Sequence, residues 1–328
     1  MFDLTEEQES RAKRIHNKYI VFDAHCDTIL SVLAGERKLG DRSEKGHIDI
    51  PRLIAGSVNA QVFAVFVRPE WYNNPVFYTL KGISLLKNEI EQNSAKITFA
   101  RSSEDIEKIA RQGKISALLS IEGGEALQGD LDMLRIYNEL GVRSITLTWN
   151  NRNALADGAM EQNSKGGLSD FGVAVVKEMN RLGMIVDIAH ISPQGFWDVI
   201  ENSTKPPIVS HSLPRRFVDS PRNLDDDQIK AVAQKGGVIG ASLYFSSYGD
   251  CKGSIQKVLD VIDYFVNIAG PDHVGLGSDF DGFDYNIPGI SSCEEVINIT
   301  RGLVSRGYGD EEIEKILGKN FLRVYSLA

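Results

Sequence analysis

Eight short runs of apolar, largely β-branched residues recur along the chain, at positions 19–24, 60–67, 115–121, 143–148, 184–189, 207–210, 237–243 and 273–278. Each is nearly continuous in its apolarity rather than alternating, which is the pattern of parallel strands covered on both faces. Between them, apolar positions return at helical spacing and predict helices over about 79–91, 130–139, 170–181, 193–201, 225–234 and 255–268, with a last one over 310–325. The charged N-terminal segment predicts a further helix over about 5–18. Gly141 and Gly183 stand where two of these helices should end, because glycine readily takes the left-handed conformation that closes a helix. Alternating strands and helices in about eight units predict an α/β chain folded as a (β/α)8 TIM barrel, one domain over 1–328. A doubly wound open sheet is the alternative, but the turn after the first run has no GxGxxG pattern to support its dinucleotide-binding version. Polar segments at 35–49 and 71–77 follow the first and second strands and are expected as insertions on the C-terminal rim, where barrel chemistry is built.

Composition narrows the function. With 36 Lys and Arg against 45 Asp and Glu, the net charge is -9, which disfavours nucleic acid and anionic membranes as partners. The N-terminus MFDLTEEQESRAKRIHNKY has no apolar core of a secretory leader, and no apolar run approaches membrane-spanning length. The 3 cysteines, Cys26, Cys251 and Cys293, lie far apart, so a disulfide framework is not expected and a reducing cytoplasm is the simpler location.

The chemistry lies where the strands end. The first run closes in 25-HCD-27, the third in 119-LSIEGGE-125, the fifth in 186-VDIAHIS-192, the sixth in 208-IVSHS-212 and the eighth in 276-LGSDFDG-282. Three of the 6 histidines, His25, His190 and His211, therefore sit at one predicted rim beside Glu122 and Asp279, whereas His273 begins a strand and should face the structural end. Residues two apart on a strand share a face, so His25 and Asp27 point together and Cys26 points away. That geometry makes the pair a chelate and Cys26 a small buried hydrophobe rather than a nucleophile. Asp23 lies one step deeper on the same face, where supporting the core or the site is expected rather than ligation. The set His25, Asp27, Glu122, His190 and His211 exceeds what one catalytic zinc takes and fits two ions bridged by Glu122. Its nitrogen and carboxylate donors suit zinc and are compatible with other divalent transition metals.

At these residues the chain resembles the membrane (renal-type) dipeptidases, metallopeptidase family M19 of the amidohydrolase superfamily. The matching pieces are DAHCDT, HIDIPRLIAG, LLSIEGGEAL, SITLTWNN, VDIAHIS, IVSHS, SPRNLDDDQI and GLGSDFDG, in family order and over nearly the whole chain. The resemblance implies hydrolysis of small dipeptides at two zinc ions. One would be held by His25 and Asp27 and the other by His190 and His211, with Glu122 between them. It further implies that Arg222 grips the substrate's C-terminal carboxylate, that Asp279 accepts a proton or anchors the amine, that Tyr244 borders the pocket, and that the protein is a homodimer.

One position departs from the family. Its mammalian members carry histidine in the fourth-strand motif, where this chain has 146-TLTWNNRN-153 with Trp149. Indole donates one hydrogen bond and carries no proton charge, so Trp149 is expected as a pocket wall, with Asn150, Asn151 and Arg152 as the neighbours able to replace the lost polar group. Two other readings stay open on the sequence. A related amidohydrolase would act on N-acyl amino acids or lactams, although such barrels often use His-x-His and a bridging lysine that this chain lacks. A metal-stabilised barrel would bind peptides without cleaving them.

Overall fold

The computed structural model describes residues 2–245 and 253–328, so Cys251 lies outside the described residues. Nine parallel strands form one sheet: β1 (Phe22–Cys26), β2 (Ala60–Phe66), β3 (Ile97–Phe99), β4 (Ile115–Glu122), β5 (Val142–Thr146), β6 (Ile185–Asp187), β7 (Ile208–Ser212), β8 (Val238–Ala241) and β9 (Val274–Leu276). Eight of them close on themselves in the circular order β1, β2, β4, β5, β6, β7, β8, β9, with β9 returning to β1. The fold is the expected (β/α)8 barrel. β3 is an addition that the apolar pattern did not predict. It has three residues and pairs with the first half of β4, outside the closed ring.

The helices follow the strands: α1 (Glu6–Lys18), α2 (Thr28–Leu33), α3 (Ile50–Ala55), α4 (Pro75–Gln92), α5 (Ser103–Arg111), α6 (Leu131–Leu140), α7 (Asp170–Leu182), α8 (Pro193–Asn202), α9 (Asp226–Gln234), α10 (Ile255–Ala269), α11 (Ile297–Ser305), α12 (Asp310–Glu314) and α13 (Asn320–Ser326). α1 opens on a capping box in which Thr5 accepts from the Gln8 amide and Gln8 reaches back to the Thr5 amide. Gly141 closes α6 and Gly183 closes α7, both left-handed, as the sequence pattern predicts. The predicted last helix is one run in three parts, with a π turn over Lys315–Lys319 between α12 and α13. There Gly318 lies against the Ile20 carbonyl so closely that a Cβ would stand 2.4 Å from it. The short α2 and α3, together with α5 and α11, were not predicted.

The two ends of the barrel differ in chemistry. At the N-terminal end, Phe22, Ile185, Ile208 and Val238 pack with Phe321, Val324 and Tyr325 of α13. The Phe22 and Phe321 rings stack at 5.2 Å, and Phe321 fills space left by Gly275 of β9. His273 sits at this structural end, its Nδ1 bonded to the Gly237 carbonyl. The C-terminal end instead carries the long connections, including 34–49 after α2 and 147–169 after β5. Among the described residues no helix is long and apolar enough to cross a membrane.

Candidate metal centre

β1 brings in the first two candidates by a route that strand alternation alone does not describe. Asp23 pairs with Gln61 and Cys26 with Phe63, so β1 holds one more residue than β2 over this stretch and bulges between Asp23 and Cys26, where His25 lies. Beyond the bulge, Asp27 leaves the strand as the residue just before α2, held by its amide on the Phe280 carbonyl. His25 Nε2 and Asp27 Oδ2 nevertheless converge to 3.8 Å. Cys26 points into the core, buried with Sγ 3.3 Å from the Thr28 hydroxyl oxygen, and burial pushes its thiol pKa well up. Asp23 accepts from the amide and the hydroxyl of Ser278 and so ties β1 to the exit of β9.

The remaining candidates meet these two at one point. Glu122, the last residue of β4, places Oε2 3.7 Å from His25 Nε2 and Oε1 3.2 Å from His190 Nε2 and 3.8 Å from His211 Nε2. Asp279 Oδ1 lies 3.8 Å from His25 Nε2. The His25 and His211 rings stack at 3.8 Å. Three triads of ligand atoms result: His25, Asp27 and Glu122; Glu122, His190 and His211; and His25, His211 and Asp279. His190 and Asp279 both have left-handed backbones, at φ 62° and 61°. Histidine and aspartate tolerate that region better than bulkier residues, and strain of this kind concentrates at functional sites.

The hydrogen bonds around the two later histidines determine where their protons sit. His190 Nδ1 faces the Asn150 side-chain oxygen at 2.9 Å, which accepts only, so Nδ1 carries the hydrogen and Nε2 a lone pair. Ser210 donates its hydroxyl hydrogen to Asp187 at 2.6 Å and must therefore accept from His211 Nδ1, which again leaves Nε2 with a lone pair. Asp187 is held in turn by the Thr146 hydroxyl and the amides of Ala189 and Ser210. The two Nε2 atoms face each other at 3.0 Å, and His25 Nε2 and Asp27 Oδ1 are buried with no hydrogen-bond partner. Opposed lone pairs and orphaned buried acceptors are what a cation between them would satisfy, so the residues present fit a metal.

The charges point the same way. Burial and the neighbouring Asp27 carboxylate raise the Glu122 pKa well above its ordinary value. Burial raises that of Asp279 to about 7, with Asp27 adding to the rise and His25 opposing it. His190 and His211 are pushed well below the ordinary imidazole range by burial, reinforced by Arg222 and His25. His25 alone rises, to about 10, because the charges of Glu122, Asp27 and Asp279 outweigh its burial. Such a crowd of mutually perturbed ligands at one point is characteristic of a site built for positive charge.

Above the ligands opens a cavity of about 370 Å³. Arg222, Trp149 and Tyr244 line it, as do Leu30, Phe66, Arg68, Asn150 and Met160. Arg222 donates from Nη2 to the His211 carbonyl at 2.8 Å and approaches the Ser212 hydroxyl at 3.5 Å, with no carboxylate partner among the described residues. Trp149 packs on Phe66 at 5.1 Å. Of the three polar neighbours considered for the family's histidine role, only Asn150 reaches the centre; Arg152 is engaged by Asp157. Asp281 supports the rim, accepting from Thr28, from Arg37 and from the His47 amide. The sequence reading missed Asp187, Ser210 and Thr146 as the supports of His211. The available signal was a carboxylate inside the apolar run 186-VDIA-189, which needs buried partners.

Residues 9–328 match the sequence profile of membrane dipeptidase (Peptidase family M19). The chain belongs to this family. It is 32% identical over 333 residues to the dipeptidase tcpJ of Claviceps purpurea, a match covering 98% of this chain and 76% of that one. The M19 metallopeptidase dipeptidase AC superposes with a TM-score of 0.85 at 25% identity, over 94% of this chain and 99% of the other. A Rhodobacter sphaeroides metallopeptidase, crystallised with a phosphinate mimic of the dipeptide L-Ala-D-Ala, shares the fold with a TM-score of 0.86 at 24% identity, over 94% and 98% of the two chains. As an M19 chain, the protein is a peptidase-class hydrolase.

Proposed function

We propose that the chain is a zinc-dependent dipeptidase that hydrolyses small dipeptides, including those with a C-terminal D-residue. The observation that carries this reading is the pair of ligand triads sharing Glu122. His25 and Asp27 with one Glu122 oxygen would hold one ion, and His190 and His211 with the other oxygen would hold the second. Imidazole and carboxylate donors suit zinc, while manganese, cobalt and iron accept the same set. When bound, the paired cations acidify water and polarise the scissile carbonyl.

The chain's own residues supply orientation and proton handling. Arg222 presents a fork of donors with no carboxylate partner among the described residues, and a substrate's terminal carboxylate would complete it. Fixing that end over the centre converts an encounter into a positioned reaction. Asp279, beside His25 on the cavity floor, would hold the proton passed to the leaving amine at its carboxylate oxygens. Asn150 and Ser210 keep the proton of each supported imidazole on Nδ1. Trp149 and Tyr244 are walls of the cavity. A cytoplasmic setting belongs to this reading, since Cys26 and Cys293 are buried and unpaired.

A panel of substrates on zinc-loaded protein tests the proposal. It predicts turnover of L-Ala-L-Ala and L-Ala-D-Ala and a large loss when the C-terminal carboxylate is amidated. Preference for N-acetyl amino acids or lactams over every dipeptide would overturn it.

A further inference from the structure

We infer that Arg68 selects dipeptides whose N-terminal residue is acidic, an inference that rests on the dipeptidase reading above. Phe66 pairs in register with Glu122 across β2 and β4, and in parallel strands such partners point to the same side. Glu122 points to the centre, so Phe66 does too, and both line the cavity. Two residues on, with the backbone still extended, Arg68 lines the same cavity one step higher. Its guanidinium makes no ion pair or hydrogen bond among the described residues. Phe66 and Trp149, packed together, form an apolar wall at its foot.

The barrel places this cation opposite Arg222. β2 and β7 are four strands apart in either direction round the ring, and Arg222 is bonded to the carbonyl of His211 in β7. A dipeptide whose C-terminal carboxylate rests on Arg222 crosses the centre and directs its N-terminal residue toward β2. There the side chain runs along Phe66 and Trp149 and ends at Arg68. An aspartate or glutamate side chain offers an apolar stem for the wall and a carboxylate for the fork. Among the residues that line the cavity the arginines are Arg68 and Arg222, and with Arg222 taken by the terminal carboxylate, Arg68 is the guanidinium left for such a side chain. One cation at this wall therefore decides between an acidic residue and its neutral isostere.

The test compares kcat/KM for L-Glu-L-Ala, L-Gln-L-Ala and L-Lys-L-Ala on zinc-loaded wild type, Arg68→Gln and Arg68→Glu. Ratios within one protein preparation are independent of how much of it is folded. Arg68 is exposed to solvent, so the wild type should favour Glu over Gln by about three- to fivefold, mainly through KM, as an exposed charged pair gives. The preference should shrink as salt is raised. Arg68→Gln should bring the ratio to within about twofold of unity, and Arg68→Glu should turn the preference toward Lys. A wild-type ratio at or below unity, or one that Arg68→Gln leaves intact, overturns the inference while dipeptide hydrolysis itself stands. Failure to cleave any dipeptide overturns the dipeptidase reading, and this inference with it.

Discussion

At the residue scale, the candidate ligands are oriented by groups outside the ligand set. His211 presents a lone pair because Ser210 accepts its Nδ1 proton, and Ser210 can accept because Asp187 takes the serine's own hydrogen. Ser210→Ala should therefore weaken zinc binding by about 10–100-fold, the usual cost of losing a partner that orients a ligand. Competition against a chromophoric chelator measures this directly, and unchanged affinity would remove Ser210 from the account. The candidate ligands were legible as a group because polar residues ending apolar strands stand out. Asp187 and Ser210 were harder to see: each lies inside or beside an apolar run, and only the folded neighbourhood shows that their hydrogen bonds converge on His211. Trp149 was legible as a departure, whereas the part played by Asn150 emerged only from its contact with His190.

At the scale of elements, β1 shows how local irregularity builds a site. Its bulge re-aims His25, and the turn after β9 leaves no room beside the carboxylates: a Cβ on Gly282 would lie 2.5 Å from Asp279 and 2.7 Å from Asp27. The eight barrel strands were legible because both faces are buried, which writes a continuous apolar run. β3, with three residues, and α2 and α3, with six each, are too short to express a period. α1 docks through an ion pair that sequence does not reveal. Glu9 takes three hydrogen bonds from Arg301 of α11, at 2.6, 2.9 and 3.2 Å, and its pKa is lowered to about 2, chiefly by Arg301. A lowered carboxylate pKa stabilises the fold fully above the unfolded value of about 4.3, and that contribution is lost as pH falls through the folded value. Amide exchange across α1 should hence accelerate as pH drops from about 4 toward 2, beyond the intrinsic trend. Glu9→Gln should abolish the extra change at a cost of no more than about 1 kcal/mol, since the pair is partly exposed. An identical exchange profile in both proteins would contradict this role.

At the scale of the whole molecule, stability and chemistry are separated along the barrel axis. The N-terminal end is sealed by Phe321 and Tyr325 against Phe22, and the C-terminal end holds the ligands and the cavity. Phe321→Ala should cost about 3–5 kcal/mol of stability, as expected for an aromatic ring lost from a packed core. Denaturant unfolding measures that loss, and the zinc stoichiometry of the folded variant should match the wild type. A drop in stoichiometry would show that the two ends are coupled. Barrel class and site polarity were both legible, because strand order in a (β/α)8 fold puts every strand's C-terminal end on one rim. What charge pattern and spacing could not supply was depth, namely that Phe66 and Trp149 pack together and line one cavity with Arg68 and Glu122.

The central claim is that two triads sharing Glu122 hold the ions on which dipeptide hydrolysis depends. Removing metal with a chelator, then adding zinc back while following both metal content and L-Ala-D-Ala hydrolysis, tests it most directly. The account predicts that hydrolysis disappears with the metal and returns as zinc approaches two ions per chain. Full hydrolysis by metal-free protein would contradict it.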